Sequence, residues 1–470
     1  SPPMSKTFVG PQLRQLRRAN NQTQAEMARA LGVSPGYVNL LENNQRSLSV
    51  RLLAAIADAY QVDWRDLVTD EAGRLLGDLR TALKDPMFSD RAPDLTELRA
   101  AIDHAPRLVA NFLKLYGTHR TTLERVMRQG AASNQDGFLR ASPEAEVHDF
   151  FRNRSNYFDE LEQAAERLRA AHPGGADDHY AALKAELARH DVRVERSTME
   201  HLGDVLRQFD RAEGVVYLSE ALDHQNRVFQ LAHVVGLLIA ERDLNALTNR
   251  TRFSNATAEA RCRVELANYF AAAYLMPYDA FLQTARQTRY DVDRLAARFA
   301  VSVEQASQRL TTLQRPGDQG IPFFFLRVDK AGNVSKRFNA TSFHLAEYGG
   351  ACPVWNIHMT FRTPGTILPQ FVELPDGERF FTFSRTTERP VFNRNSQEVR
   401  LAIALGCELR YAGDVTYAAA FNPQDDGLYS PIGINCYLCQ RTSCSQRAHQ
   451  PAFVDLPIST DRRGNTRHES

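Results

Sequence analysis

Along the first seventy residues, apolar positions recur every three or four: Leu13 and Leu16, Met27 and Leu31, Val38 and Leu41, then Leu52, Leu53, Ile56 and Tyr60. That period places each set on one face of a helix. The breaks between them carry helix-start chemistry. Thr23-x-x-Glu26 is a capping box, Gly32 supplies a turn, Ser34 is an N-cap with Pro35 at the first helical position, and Ser49 caps again. The pattern predicts four short helices, the second and third joined by a tight turn, which is a helix-turn-helix inside a small bundle.

Residues 71–130 stay helical in pattern, interrupted at Pro86 and Pro106, and the polar run QGAASNQDG marks a boundary near 130–137. This predicts a helical linker over 70–143, suited to dimerisation or to plain spacing. From Glu144 the spacing predicts a long helix (144–172), a break at HPGGADD, a second helix (178–190) and the strands VRVERS and GVVYLS. RVFQLAHVVGLLIAER, apolar nearly all round, and EARCRVELANYFAAAYLMP read as buried helices. VDRLAARFAVSVEQASQRLTTL reads as a second helix-turn-helix shape used for packing. After 319 the reading changes to strand, tight turn, strand in IPFFFLRVDKAGNVSKRF and QFVELPDGERFFTFSR, with Asp376-Gly377 the hairpin signal. The predicted fold class is therefore multidomain: mainly α over the N-terminal two-thirds, with an α+β, β-rich C-terminal domain. The predicted units are 1–69, 70–143, 144–318 and 319–452, followed by a disordered tail over 453–470.

Composition narrows the class. Apolar content of 43% and charged content of 24% over 470 residues are those of a soluble globular chain of about three domains. The longest apolar runs fall short of a membrane span, and the basic N-terminus lacks the apolar stretch of a secretory leader. The expected location is cytoplasmic, with no membrane partner. Net charge is +1, yet residues 1–69 carry Lys6 and seven arginines against five acidic residues. Four of six cysteines fall late: Cys407, Cys436, Cys439 and Cys444. In a reducing compartment that clustering reads as a metal site before disulfides. Four thiolates suit structural zinc or an iron–sulfur cluster, and the expectation is zinc.

The N-terminal segment resembles the Xre-type (Cro/repressor-like) DNA-binding domain. The resemblance implies double-stranded DNA as partner and puts the helix over 34–42 in the major groove, with Ser34, Gly36, Tyr37 and Asn39 nearest the bases. Gln24, Arg46, Arg17 and Arg18 are the candidates for phosphate contacts. The order strand, F-x-L-A-H helix, then ELANYFAAAYLMP over roughly 145–315 resembles the ImmA/IrrE-type metallopeptidase-like domain. Matched residue by residue, His233 stands at the first zinc ligand and Glu265 at the later acidic one. Val234 replaces the general base and Leu237 the second histidine, so an enzyme is not expected. His233 and Glu265 are then either a buried hydrogen-bonded pair or part of a small-ligand cleft.

With the C-terminal GC…CxxCxxxxC pattern, the whole arrangement resembles the short-chain fatty-acyl transcriptional regulators (the RamB-like and PccR-like group). That resemblance implies control of acetate- or propionate-type genes, an acyl-CoA effector, and a homodimer or dimer of dimers. Arg327, Lys336, Arg337, Trp355, His358 and Arg362 are the candidate phosphate and adenine contacts. Two other readings stay open: a redox- or iron-responsive regulator using a four-Cys cluster, and a metallopeptidase acting on a partner repressor.

Overall fold

The computed structural model describes residues 9–46, 48–62, 71–85, 87–88, 93–129, 142–174, 176–345, 351–389, 400–451, 456 and 460–461. The chain divides into two compact units, residues 1–120 with 315–319, and residues 121–314 with 320–470. Almost all of the expected disordered tail lies outside the described residues.

In the first unit, α1 (Gly10–Ala19), which has no side-chain cap, is followed by α2 (Gln24–Leu31), α3 (Pro35–Glu42) and α4 (Val50–Tyr60), which start where their capping chemistry predicts. Thr23 and Glu26 form the reciprocal capping box, and Ser34 and Ser49 accept from the backbone N–H groups of Tyr37 and Leu52. Gly32 ends α2 in the left-handed region, at φ 67°, where a side chain would be strained. Leu13, Met27, Val38, Leu41, Leu52 and Ile56 meet in one core. α5 (Glu71–Leu83), α6 (Leu95–His104) and α7 (Pro106–Gln129) follow, with Leu75, Leu79, Leu98, Ile102 and Val109 as a small core of their own.

The second unit begins with α8 (Pro143–Arg152) and α9 (Asp159–Ala171). The single helix predicted over 144–172 is broken because Ser155 and Asn156 turn left-handed, at φ 54° and 55°. The buried Asn156 amide donates to the Asn339 carbonyl at 3.0 Å, a long-range bond that no local period signals. Next come α10 (His179–Arg189), β1 (Arg193–Ser197), the short α11 (Met199–Leu202), β2 (Arg207–Asp210) and β3 (Val215–Ser219). These strands form a sheet in the order β1-β3-β2, with β1 parallel and β2 antiparallel to β3. α12 (His224–Ile239), α13 (Glu241–Asn249) and α14 (Ala256–Leu275) follow. α12 crosses α14 at Gly236, where a Cβ would stand 2.6 Å from the Phe270 ring, so only glycine allows this approach. α15 (Tyr278–Gln287), α16 (Val292–Phe299) and α17 (Val303–Leu310) complete the helices of this unit; β4 (Gln314–Arg315) and β5 (Asp318–Gln319), which fall mostly in the segment grouped with the first unit, pair as a short two-stranded ribbon.

The C-terminal strands are β6 (Phe324–Val328), β7 (Val334–Asn339), β8 (Leu368–Glu373), β9 (Arg379–Glu388), β10 (Arg400–Glu408) and β11 (Tyr429–Pro431), in the order β11-β8-β9-β10-β6-β7. Alternate residues of a strand face opposite ways, and here both faces are buried. Phe325, Phe338, Phe371, Phe381, Phe383, Ile403 and Leu405 join the core of the helices that precede the sheet. Phe324, Leu326, Val328, Val372, Phe380, Ala402 and Ala404 pack on the other side against Phe343 and Trp355. The predicted boundary near 318 is therefore not a division of cores, because one core runs from Val147 to Ala418.

Arg309 enters that core fully buried. Its two Nη atoms donate to the Glu162 carboxylate at 2.8 and 3.0 Å and its Nε to the Met276 carbonyl at 3.1 Å, while the Tyr269 hydroxyl donates to Glu162 at 2.6 Å. Removing one partner of such a pair leaves an uncompensated buried charge, so Arg309→Met should cost about 3–5 kcal/mol in urea unfolding. The double variant Glu162→Gln/Arg309→Met should recover most of it. Equal losses in the single and double variants would show that packing, not charge, is what the pair supplies.

Candidate functional site: the reading helix and the peptidase-like cleft

α3 presents its N-terminal turn outward. Ser34, Gly36 and Asn39 are exposed, while Tyr37 is half-buried against the core. Arg46 and Arg18 are also exposed. Arg17 is differently placed: its Nε and Nη2 bind Glu42 at 2.5 and 3.1 Å and its Nη1 donates to the Gln22 carbonyl at 2.9 Å. All three nitrogens are committed, so the structure corrects Arg17 from a phosphate contact to a strut between α1 and α3. Gln24 donates to Glu42 at 2.9 Å and to Asn39 at 3.4 Å, which ties the start of α2 to the reading helix. Burial alone would raise the Glu42 carboxyl, yet hydrogen bonds from Arg17 and Gln24 hold it below the usual carboxylate range. Sequence reasoning missed Glu42, whose only signal was an acid at the end of a helix stripe.

In the second unit, His233 is buried on α12 and its Nδ1 lies 2.7 Å from Asn268 Oδ1. Asn268 in turn donates to Glu265 at 3.4 Å, and Glu265 pairs with Lys336 Nζ at 3.2 Å. The expected direct His233–Glu265 pair is thus a relay through Asn268, a residue the sequence reading passed over. With Asn268 Oδ1 accepting, the proton sits on Nδ1 and leaves Nε2 as a buried acceptor without a donor among the described residues. Burial, then the charge of Arg207, pushes the imidazole down to about 3, so it is neutral. Asn268 also lines a recess, together with Phe229, Tyr269, Gln305, Gln308 and Phe338.

The other ligand candidates lie elsewhere. Trp355 is buried against Phe324 and Phe343 on the far face of the sheet, its Nε1 directed to Thr382 Oγ1 at 3.4 Å. His358 Nε2 donates to the carbonyls of Ala351 and Cys352 at 3.2 and 3.1 Å. Both are structural, which corrects their expected role in holding ligand. Arg362 is exposed at the end of the same 3-10 segment, Asn356–Arg362, and Arg337 donates to the Leu345 carbonyl. Arg327 and Lys336, by contrast, are on the recess side, paired with Glu304 and Glu265.

Cys407 is also displaced from its expected role. It alternates with Ile403 and Leu405 into the shared helix–sheet core, where burial pushes its thiol up. Cys352 packs on the opposite face, and its thiol is raised by burial and by neighbouring Cys439 and Cys436. Arg447 ties that end together by donating to the carbonyls of Cys436 and Cys439. Among the described residues, no three His, Cys, Asp or Glu side chains come together as a metal-binding group. Cys407 is thus on the other side of the sheet from Cys352 and its neighbours Cys436 and Cys439, so it does not complete a four-thiolate set with them.

Two outcomes follow from these placements. Arg46→Ala should weaken duplex DNA binding across sequences and lower the salt slope by about one, whereas Arg17→Ala should lower the stability of the first unit. An unchanged salt slope in Arg46→Ala would remove that arginine from the interface. His233, and His148 pushed down to about 4 chiefly by burial, stay neutral when folded but take protons near 6.5 when unfolded. The unfolded state then binds more protons, so stability should fall as pH drops from about 6.5 towards 4. His233→Gln should flatten that loss, and the same slope in the variant would mean that His233 titrates normally.

The chain matches three family models: helix-turn-helix over residues 13–67, IrrE N-terminal-like domain over 187–311, and short-chain fatty acyl coenzyme A regulator, C-terminal, over 312–468. It is 41% identical over 461 residues to the propionyl-CoA carboxylase regulator of Cereibacter sphaeroides, covering 98% of each chain. It is 37% identical over 456 residues to the HTH-type transcriptional regulator RamB of Mycobacterium tuberculosis (95% of each). It is 34% identical over 451 residues to PrpR of that organism (94% of this chain, 92% of the other). A solved Mycobacterium tuberculosis transcriptional regulator, 34% identical, superposes with a TM-score of 0.66 over 70% of this chain and 100% of its own. Among the described residues no helix is long and apolar enough to cross a membrane. With a capped reading helix at one end, a peptidase-like domain in the middle and relatives matched over nearly their whole length, this chain belongs to the short-chain fatty acyl-CoA regulator family of helix-turn-helix transcriptional regulators.

Proposed function

We propose that the protein senses a short-chain acyl-CoA thioester and, as a dimer in the cytoplasm, regulates genes of acyl-CoA metabolism by binding two half-sites about one helical turn apart. The observation that carries the sensing reading is the state of the peptidase-like cleft. His233 is neutral and sealed, Val234 is buried beside it, and Leu237 occupies the position one turn on. A hydrolytic zinc site needs three protein ligands and a base to work with its water. This helix supplies one donor and no base, so the scaffold serves binding and not peptide cleavage. Support for the ligand class comes from the C-terminal family description and from a relative named for propionyl-CoA carboxylase. The cysteine-cluster reading lacks comparable support, since Cys407 is in the helix–sheet core while Cys436 and Cys439 neighbour Cys352 on the other face.

A ligand can shift a regulator between states only by its difference in affinity for them. The test is thermal unfolding of the purified protein with CoA, acetyl-CoA, propionyl-CoA, succinyl-CoA and ATP. A thioester at ~100 times its dissociation constant should add about 2.7 kcal/mol to the native state. ATP should leave the transition in place. No movement with any thioester would overturn the sensing reading.

A further inference from the structure

We propose that the helical linker takes part in holding DNA: Arg18 of α1 and Arg107, at the elbow between α6 and α7, clamp one phosphate of the duplex backbone beside the groove that α3 reads. Arg14 and His104 position the clamp. A cleft of about 300 Å³ lies within the first unit, between the second half of α1 and the elbow. Ala105 alone separates α6 from α7, and its non-helical backbone, at φ −141° and ψ 51°, turns the chain there. Arg107, in the first turn of α7, thereby shares the cleft with Arg14 and Arg18. Against these three arginines the lining offers one carboxylate, Asp103. Arg18 and Arg107 are exposed, and neither is paired with an acidic side chain among the described residues. Converging guanidinium groups with open donors are what a phosphate oxyanion requires.

Arg14 fixes this cleft relative to the reading helix. Its side chain is only 12% exposed. Nη2 donates to the Glu42 carbonyl at 3.0 Å and to Asn43 Oδ1 at 2.9 Å, and Nη1 donates to His104 Nδ1 at 3.4 Å. Asn43 Nδ2 in turn donates to Asn39 Oδ1 at 3.0 Å. Gly36, Asn39 and Asn43 make one exposed row along α3 and its C-terminal end, the row that runs along the groove when the first turn of the helix meets the bases. Two hydrogen bonds, Asn39 to Asn43 and Asn43 to Arg14, therefore join the base-facing row to the cleft. The major groove is about 12 Å wide and is walled by phosphate strands, so a cationic cleft to the side of that row meets backbone and not base edges. Glu42 does not fill the cleft in place of a phosphate. Its carboxylate is held by Arg17 and Gln24, and Arg14 Nε stands 3.7 Å from it. A free phosphate would offer the same oxyanion, but only the duplex accounts for the tie to the reading row.

The experiment uses the full chain and a duplex that the wild type selects from a randomised pool. Uncharged methylphosphonate linkages replace single phosphates, one position at a time, and affinity is followed by fluorescence anisotropy at several salt concentrations. At one position the uncharged linkage should weaken the wild type about tenfold and leave Arg18→Ala/Arg107→Ala unaffected, because that variant has no clamp to lose there. On the unmodified duplex the double variant should bind about tenfold more weakly, with a salt slope lower by about one. Arg107→Gln, a single change at an exposed position, should show the same tolerance of that linkage, so that a folding defect in the double variant leaves the test decisive. Lys114→Ala removes another exposed cation from α7 and should change neither affinity nor slope. A double variant that responds to every linkage as the wild type does would overturn the clamp, and so would an equal loss from Lys114→Ala. Titration of the DNA-free chain with inorganic phosphate at fixed ionic strength separates the other source. Saturable phosphate binding that Arg107→Gln abolishes, with duplex affinity unchanged, would assign the cleft to a free anion and overturn the backbone contact.

Discussion

The buried Arg309–Glu162 pair organises the second unit. A guanidinium with no solvent access is tolerable only when its donors are met, and here a carboxylate on α9 and a carbonyl at the end of α14 meet them. The bidentate geometry sets the position of α17 against both helices. α17 carries Glu304, Gln305 and Gln308, and α14 carries Glu265 and Asn268, so the same pair spaces the two walls of the recess. A structural ion pair thereby sets the spacing of a neighbouring recess.

The six-stranded sheet imposes the second constraint. Its strands alternate between two buried faces, and that parity decides which residues meet. Cys407 shares a face with Ile403 and Leu405 and so belongs to the helix–sheet core, while Cys352 and Trp355 belong to the other side. Arg327 and Lys336, paired across β6 and β7, turn towards the helices as Phe325 and Phe338 do, whereas beyond the irregularity at Arg327/Val328 the Val328–Val334 pair faces the other way. The peptidase-like helices and the C-terminal strands are therefore one body. The helices leave a recess, and the edge strand β7 closes one side of it with Phe338.

In the first unit a comparable economy centres on Glu42. One buried carboxylate holds Arg17 of α1 and Gln24 of α2 against α3. The reading helix is thereby fixed on the side facing its own bundle, while its N-terminal turn stays exposed for contact with bases.

What the sequence determined by itself was whatever depends on neighbours along the chain. The caps at Thr23, Ser34 and Ser49, the turn at Gly32, the apolar stripes of α1 to α4 and the Asp376-Gly377 turn are local interactions, readable from spacing alone. The departures of Val234 and Leu237 from a zinc-helix pattern were legible for the same reason. The tertiary structure decided everything that depends on partners far apart in the chain. Asn156 breaks a helix to reach Asn339, Asn268 comes between His233 and Glu265, and Arg17 turns from solvent to Glu42. Cysteine spacing suggested a four-thiolate set, but spacing carries no information about which face of a sheet a strand residue occupies once both faces are buried. Periodicity marks an apolar stripe, and only the packed fold says what that stripe lies against.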